Sequence, residues 1–265
     1  MNRLTRPARG ALLAASLLAA FVAAAPVAAA SPSSLYIFVA DGFRYQDPNM
    51  YACTSTSAMD MLNFIALRNA GGPGFHWTVT RSGAVRDSIL AWERTHDTLA
   101  GGHGSDPHGM RNALNYYGWG KNALDTRGRV YDDFAYTTYD AAVKSAVRAM
   151  ISYRKPVAVL AWAGRHAQML VGYYGLSGDP YARDSLGRYT NQFTVVGFYL
   201  ADPLQSQNMV NVRVPYGTFK TSTNLKLRFQ PYLQTDSPYD DPYTSGIRPS
   251  KDEWYGKFVL VSPVR

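Results

Sequence analysis

The chain has 265 residues, a formal charge of +8 and one cysteine. With 46% hydrophobic and 17% charged residues it can bury a core, which excludes a disordered polar chain. A single cysteine excludes an intramolecular disulfide and a cysteine-based zinc or iron–sulfur centre.

Residues 1–30 read as an export signal. Arg3, Arg6 and Arg9 precede an uncharged run from Ala11 to Ala25, Pro26 breaks it, and Ala28-Ala29-Ala30 supplies small residues before Ser31. The run is shorter than the roughly twenty residues that span a bilayer. Cleavage before Ser31 leaves one domain, 31–265, and takes away three bases and no acids, lowering the charge from +8 to +5. The expectation is a secreted protein with no stable membrane span. The remaining bases are scattered, with no run of five, which argues against a nucleic-acid partner.

Ser34–Ala40 reads as a first strand. A loop containing Gln46 follows. From Cys53 or Thr54 to about Asn69 the pattern is helical, with Ala58, Met61, Leu62, Ile65 and Ala66 on one face. Further helices are expected at about 84–95, 106–117 and 139–153, the second of these capped by Asp106 and stopped by Gly118. After Pro156 the period changes. Strands are expected at 157–162, 166–174, 193–201, 209–215, 225–229 and 258–261. Residues 175–191 read as a polar hairpin excursion and 234–250 as a surface loop. Helices first and an antiparallel sheet afterwards make an α+β fold.

Three residues carry the chemistry of interest. Cys53 lies where a loop meets a helix, and the positive end of that helix favours a thiolate, the reactive form of the side chain. Of five histidines, only His166 begins an apolar strand. Asp202 ends the next strand. If the two strands pair as an antiparallel hairpin, the start of one lies beside the end of the other, bringing Asp202 to His166. Singly, each has an ordinary alternative: a buried small hydrophobe for Cys53, a surface turn for His166, a turn residue before proline for Asp202.

The order of Cys, His and Asp, in the stretches QDPNMYACTSTSAMDML, SDPHGMRNALNYYG, KPVAVLAWAGRHAQMLVGYYG and FYLADPL, resembles the papain-like cysteine peptidases. Among them it is most similar to the bacteriocin-processing peptidases and their stand-alone secreted relatives. WYGKFVLVSP is similar to that family's last strand. The resemblance implies a helical part packed on a β-sheet, peptide or protein substrates, and no cofactor. It implies Cys53 as nucleophile, His166 as general base, Asp202 as its orienting partner and Gln46 as an oxyanion donor, with Asn49 as the alternative donor. Two positions depart from the family: Gln46 is one residue further from the cysteine than usual, and Thr54 stands where glycine is common. The competing readings are an inactive papain-like module that binds peptide or cell wall, and an acyl-transfer or amidase relative. The spacing of 113 residues between Cys53 and His166 argues against the relatives with a closer histidine.

No metal site is expected. The 101–108 segment holds His103, Asp106 and His108 but reads as a glycine-rich loop capping a helix. Asp236, Asp240 and Asp241 lack the spaced ligands of a calcium loop.

Overall fold

The computed structural model describes residues 31–98, 104–123, 125–224, 226–233 and 253–265. Residues 1–30, expected to be an export signal, His103, Leu225, and residues 234–250, expected to be a surface loop and holding Asp236, Asp240 and Asp241, lie outside the described residues.

Residues from Ser31 onward form one compact unit. It has helices α1 (Cys53–Leu67), α2 (Gly83–Arg94), α3 (Pro107–Trp119), α4 (Tyr139–Tyr153) and α5 (Tyr216–Thr221). Its strands are β1 (Leu35–Tyr36), β2 (Tyr131–Tyr136), β3 (Val157–Ala161), β4 (His166–Tyr174), β5 (Gly197–Ala201), β6 (Val212–Pro215) and β7 (Phe258–Pro263). The strands form one antiparallel sheet in the order β2-β7-β3-β4-β5-β6, with β1 paired to β4. The fold is α+β. No helix among the described residues is long and apolar enough to cross a membrane.

The elements start and stop for local reasons. Asp106 caps α3 by accepting a 2.9 Å hydrogen bond from Gly109 N–H, with Pro107 at the first helical position. That helix runs past Gly118 and ends at Gly120, whose φ of 63° supplies the left-handed cap. Thr138 caps α4 by accepting from Ala141 N–H.

Helix α1 differs from its expected single apolar face. Every residue from Thr54 to Ile65 is buried, because the helix runs among β4, α2 and α3. Its polar side chains therefore find internal partners, as buried polar groups must. Ser57 Oγ donates to the Ala167 carbonyl on β4, Asp60 accepts from Arg44 N–H, and Asn63 binds the Gly42 and Thr80 carbonyls.

Several strands are shorter than their sequence suggests. The first shrinks to two residues, and only 197–201 of the 193–201 run joins the sheet. Residues 226–229 are not a strand; Phe229 instead bonds back to Phe219 on the unforeseen helix α5. Strand β3 is buried along its whole length, so both faces of the sheet are covered there. At Gly172 the backbone of β1 comes so close that a Cβ would lie 2.2 Å from the Leu35 carbonyl oxygen.

Candidate active site

Cys53 is the first residue of α1. Two turns deliver it there: Asn49 N–H donates to the Gln46 carbonyl, and Ala52 N–H to the Asn49 carbonyl. The thiol is only partly buried, whereas the residues after it are buried. It sits at the positive end of a 15-residue helix.

His166 opens β4 directly after a tight turn. Trp162, Ala163 and Gly164 all have positive φ, at 50°, 57° and 87°. That sequence of left-handed residues reverses the chain between Ala161 and its register partner His166. The turn is held from outside. Trp162 N–H donates to the Arg228 carbonyl, the Ala163 carbonyl accepts from Leu233 N–H, and Gly164 lies flush against the Tyr232 ring.

Asp202 follows β5. Met169 pairs with Ala201, so the residue after Ala201 lies opposite Gln168, two positions along the same strand face from His166. From there the Asp202 carboxylate receives three hydrogen bonds: from His166 Nε2 at 2.7 Å, Gln168 Nε2 at 2.7 Å and Leu204 N–H at 2.8 Å. It is fully buried. With Nε2 occupied, Nδ1 is the ring atom left for the hydrogen bond between His166 and the Cys53 side chain. The structure thus brings Cys53, His166 and Asp202 together in one chain of hydrogen bonds.

The electrostatics follow the geometry. Burial disfavours a charged imidazole, but the hydrogen bonds to Asp202 and Cys53, and their charges, outweigh it and push His166 up to about 10. Burial also disfavours the Cys53 thiolate. The hydrogen bond and charge of His166, with the backbone N–H groups of Ala167 and Thr54, hold the thiol below its ordinary value all the same. Both shifts favour the thiolate and the imidazolium.

Gln46 is buried close to the Asp202 loop, its N–H bonded to the Pro203 carbonyl at 2.8 Å. One side-chain N–H goes to the Met50 carbonyl at 2.9 Å, and Oε1 has no hydrogen-bond partner among the described residues. The Asn49 side chain is committed elsewhere, donating to Asp87 and accepting from Tyr51 N–H. Two functional neighbours escape a reading of the sequence alone. Gln168 clamps Asp202 and also donates to the Lys226 carbonyl at 2.8 Å; its signal is the two-residue spacing from His166 on a strand. Glu93 accepts a 2.7 Å hydrogen bond from Thr54 Oγ, and its signal, a lone acid between Trp92 and Arg94, reads as surface charge.

A second polar cluster gathers His108, Asp133 and Glu253. These are cation-ligating residue types, but both Asp133 oxygens and one Glu253 oxygen are already engaged. Asp133 binds Arg111 at 2.6 Å and Trp254 Nε1 at 3.2 Å, and His108 Nε2 lies 3.2 Å from Glu253. The Arg111 guanidinium supplies the positive charge that a metal ion would bring, so the cluster is a buried ion-pair network. His76 is an exposed turn residue, and His96 stacks on Trp92. No known family model matches the chain, and neither does any curated protein.

Proposed function

We propose that this protein is a papain-like cysteine peptidase that hydrolyses peptide bonds in exported peptide or protein substrates. The observation that carries the reading is the hydrogen-bonded series from a helix-start thiol through a buried histidine to a buried aspartate. Each member supplies what amide hydrolysis needs: a nucleophile that is strong when deprotonated, a proton store beside it, and an anion that fixes the ring.

In this reading the Cys53 thiolate attacks the substrate carbonyl carbon, forming a C–S bond as the carbonyl electrons move to oxygen. The N–H of Cys53 and the second N–H of Gln46 stabilise that oxygen. His166, protonated, gives its proton to the departing amine as the C–N bond breaks, leaving a thioester. Water then attacks the thioester, His166 takes a proton from it, and the carboxylic acid leaves as Cys53 is regenerated. Asp202 holds the ring orientation and supports the imidazolium throughout. No cofactor or metal enters the cycle. The arginine-flanked, alanine-rich segment before Ser31 supports export through a cleaved signal, followed by action outside the cell.

The test is turnover of an unstructured protein substrate by the secreted form and by Cys53→Ala. The variant is expected to be inert while its circular dichroism matches wild type. Equal turnover by the two proteins overturns the proposal.

A further inference from the structure

Thr54 stands immediately behind the nucleophile, and its two polar groups point in different directions. Its backbone N–H is directed at the Cys53 sulfur, while its side-chain hydroxyl is bonded to Glu93 Oε2 at 2.7 Å. Both residues are buried, Thr54 at 1% exposure and Glu93 at 0%. Glu93 Oε1 has no hydrogen-bond partner among the described residues. No substrate atom reaches a group so enclosed, so contact with substrate is not its role.

A buried carboxylate without a counter-ion is costly. The titratable groups facing Glu93 are Cys53 on α1, Asp97 just beyond α2, and Asp106 and Tyr117 at either end of α3. All are acids, so none compensates a negative charge on Glu93. Burial, and then the charges of Cys53, Asp97 and Asp106, hold the Glu93 carboxyl well above the usual carboxylate range. The neutral acid is thereby favoured, and in that form the side chain bonds Thr54 without placing an anion next to Cys53.

We propose that Glu93 is a positioning residue for the nucleophile: buried and bonded to the Thr54 hydroxyl, it pins Thr54, and with it the first turn of α1 and the N–H that faces the Cys53 sulfur. The hydroxyl of Thr54 is what Glu93 grips. The inference rests on Cys53 being the nucleophile.

The experiment measures the rate of Cys53 alkylation by iodoacetamide against pH, by mass spectrometry, in the intact protein and in Thr54→Val, Glu93→Gln and Glu93→Ala. Thr54→Val keeps the shape and removes the grip. It is expected to slow labelling at neutral pH about tenfold and to move the thiolate midpoint upward, as does Glu93→Ala. Glu93→Gln, neutral and of the same size, is expected to restore most of the rate. Infrared spectra supply a readout that packing alone does not move: the protonated-carboxyl band of the intact protein at neutral pH should lose intensity in Glu93→Gln. Stability supplies another. A carboxyl raised in the folded state stabilises fully below its unfolded value, and that contribution is lost as pH rises toward the folded value, so Glu93→Gln should gain on wild type as pH increases.

A reactive Cys53 in wild type with an unchanged profile in Thr54→Val overturns this inference and leaves the peptidase reading standing. So does an infrared difference showing no protonated carboxyl at Glu93. An ordinary thiol in the wild-type protein overturns both, because there is then no nucleophile to position. Should Glu93→Ala fail to fold, Thr54→Val and Glu93→Gln carry the test.

Discussion

Replacing Asp202 by asparagine removes one negative charge from the interior and changes almost nothing in shape. The carboxylate accepts hydrogen bonds of 2.7, 2.7 and 2.8 Å from His166, Gln168 and Leu204, with no exposure to water. A hydrogen bond to a charged partner contributes ~1.5–3 kcal/mol and a neutral one ~0.5–1.5, so the bond to His166 weakens by ~1–1.5 kcal/mol. At 1.36 kcal/mol per pKa unit, the histidine drops by about one unit. The thiolate depends on the imidazolium for its own hydrogen bond and charge, so the ion pair is lost at a lower pH. The asparagine amide also turns an N–H toward Gln168, which must rotate to present Oε1 and give up its bond to the Lys226 carbonyl. The assay is iodoacetamide labelling of Cys53 across pH. The acid limb, where the imidazole is protonated in both proteins, should stay in place, and the alkaline end of the ion-pair window, near 10 in wild type, should move down by about one unit in Asp202→Asn. Superimposable profiles from two equally folded proteins would refute the electrostatic reasoning.

Gln168→Leu leaves one Asp202 oxygen and the Lys226 carbonyl without their buried donor, and should cost ~1–3 kcal/mol in urea unfolding while lowering kcat more than it changes KM. In the second cluster, burial opposes a charged His108 but Asp133 and Glu253 outweigh it and raise its pKa above the ordinary 6.5. Its stabilisation is therefore complete below that value and lost as pH rises through the raised one, so Tm should fall over that interval in wild type and fall less in His108→Leu. Gly172→Ala drives a Cβ to 2.2 Å from the Leu35 carbonyl oxygen. It should destabilise the protein by about 1–3 kcal/mol, read from denaturant midpoints, as β1 is pushed off β4.

Local rules made much of this molecule legible. Helix α4 has the limits its 3.6-residue period implies, and Asp106 caps α3 as its position before Pro107 suggests. The meeting of His166 and Asp202 follows from antiparallel pairing of neighbouring strands, which needs no knowledge of the rest of the fold. What stayed hidden depends on partners distant in sequence. Strand β2 carries two adjacent acids, Asp132 and Asp133, and Asp133 is balanced by Arg111, 22 residues earlier. Helix α5 is one short turn-rich segment whose only buried side chain is Phe219, below what periodicity detects. Glu93 looks solvent-facing in sequence and becomes buried only when α1 and α3 close over it. The grip of Glu93 on Thr54 spans 39 residues, and nothing local announces it.

The turn before His166 has a further consequence. Trp162 and Ala163 adopt a conformation that disfavours side chains, at ~1–3 kcal/mol each. What offsets that cost comes from later in the chain: the Arg228 carbonyl, the Leu233 N–H and the Tyr232 ring. These groups seat His166 from a later part of the chain. During synthesis the thiol, the imidazole and the carboxylate all emerge before their brace does, so a nascent chain carries the parts of the site without its alignment.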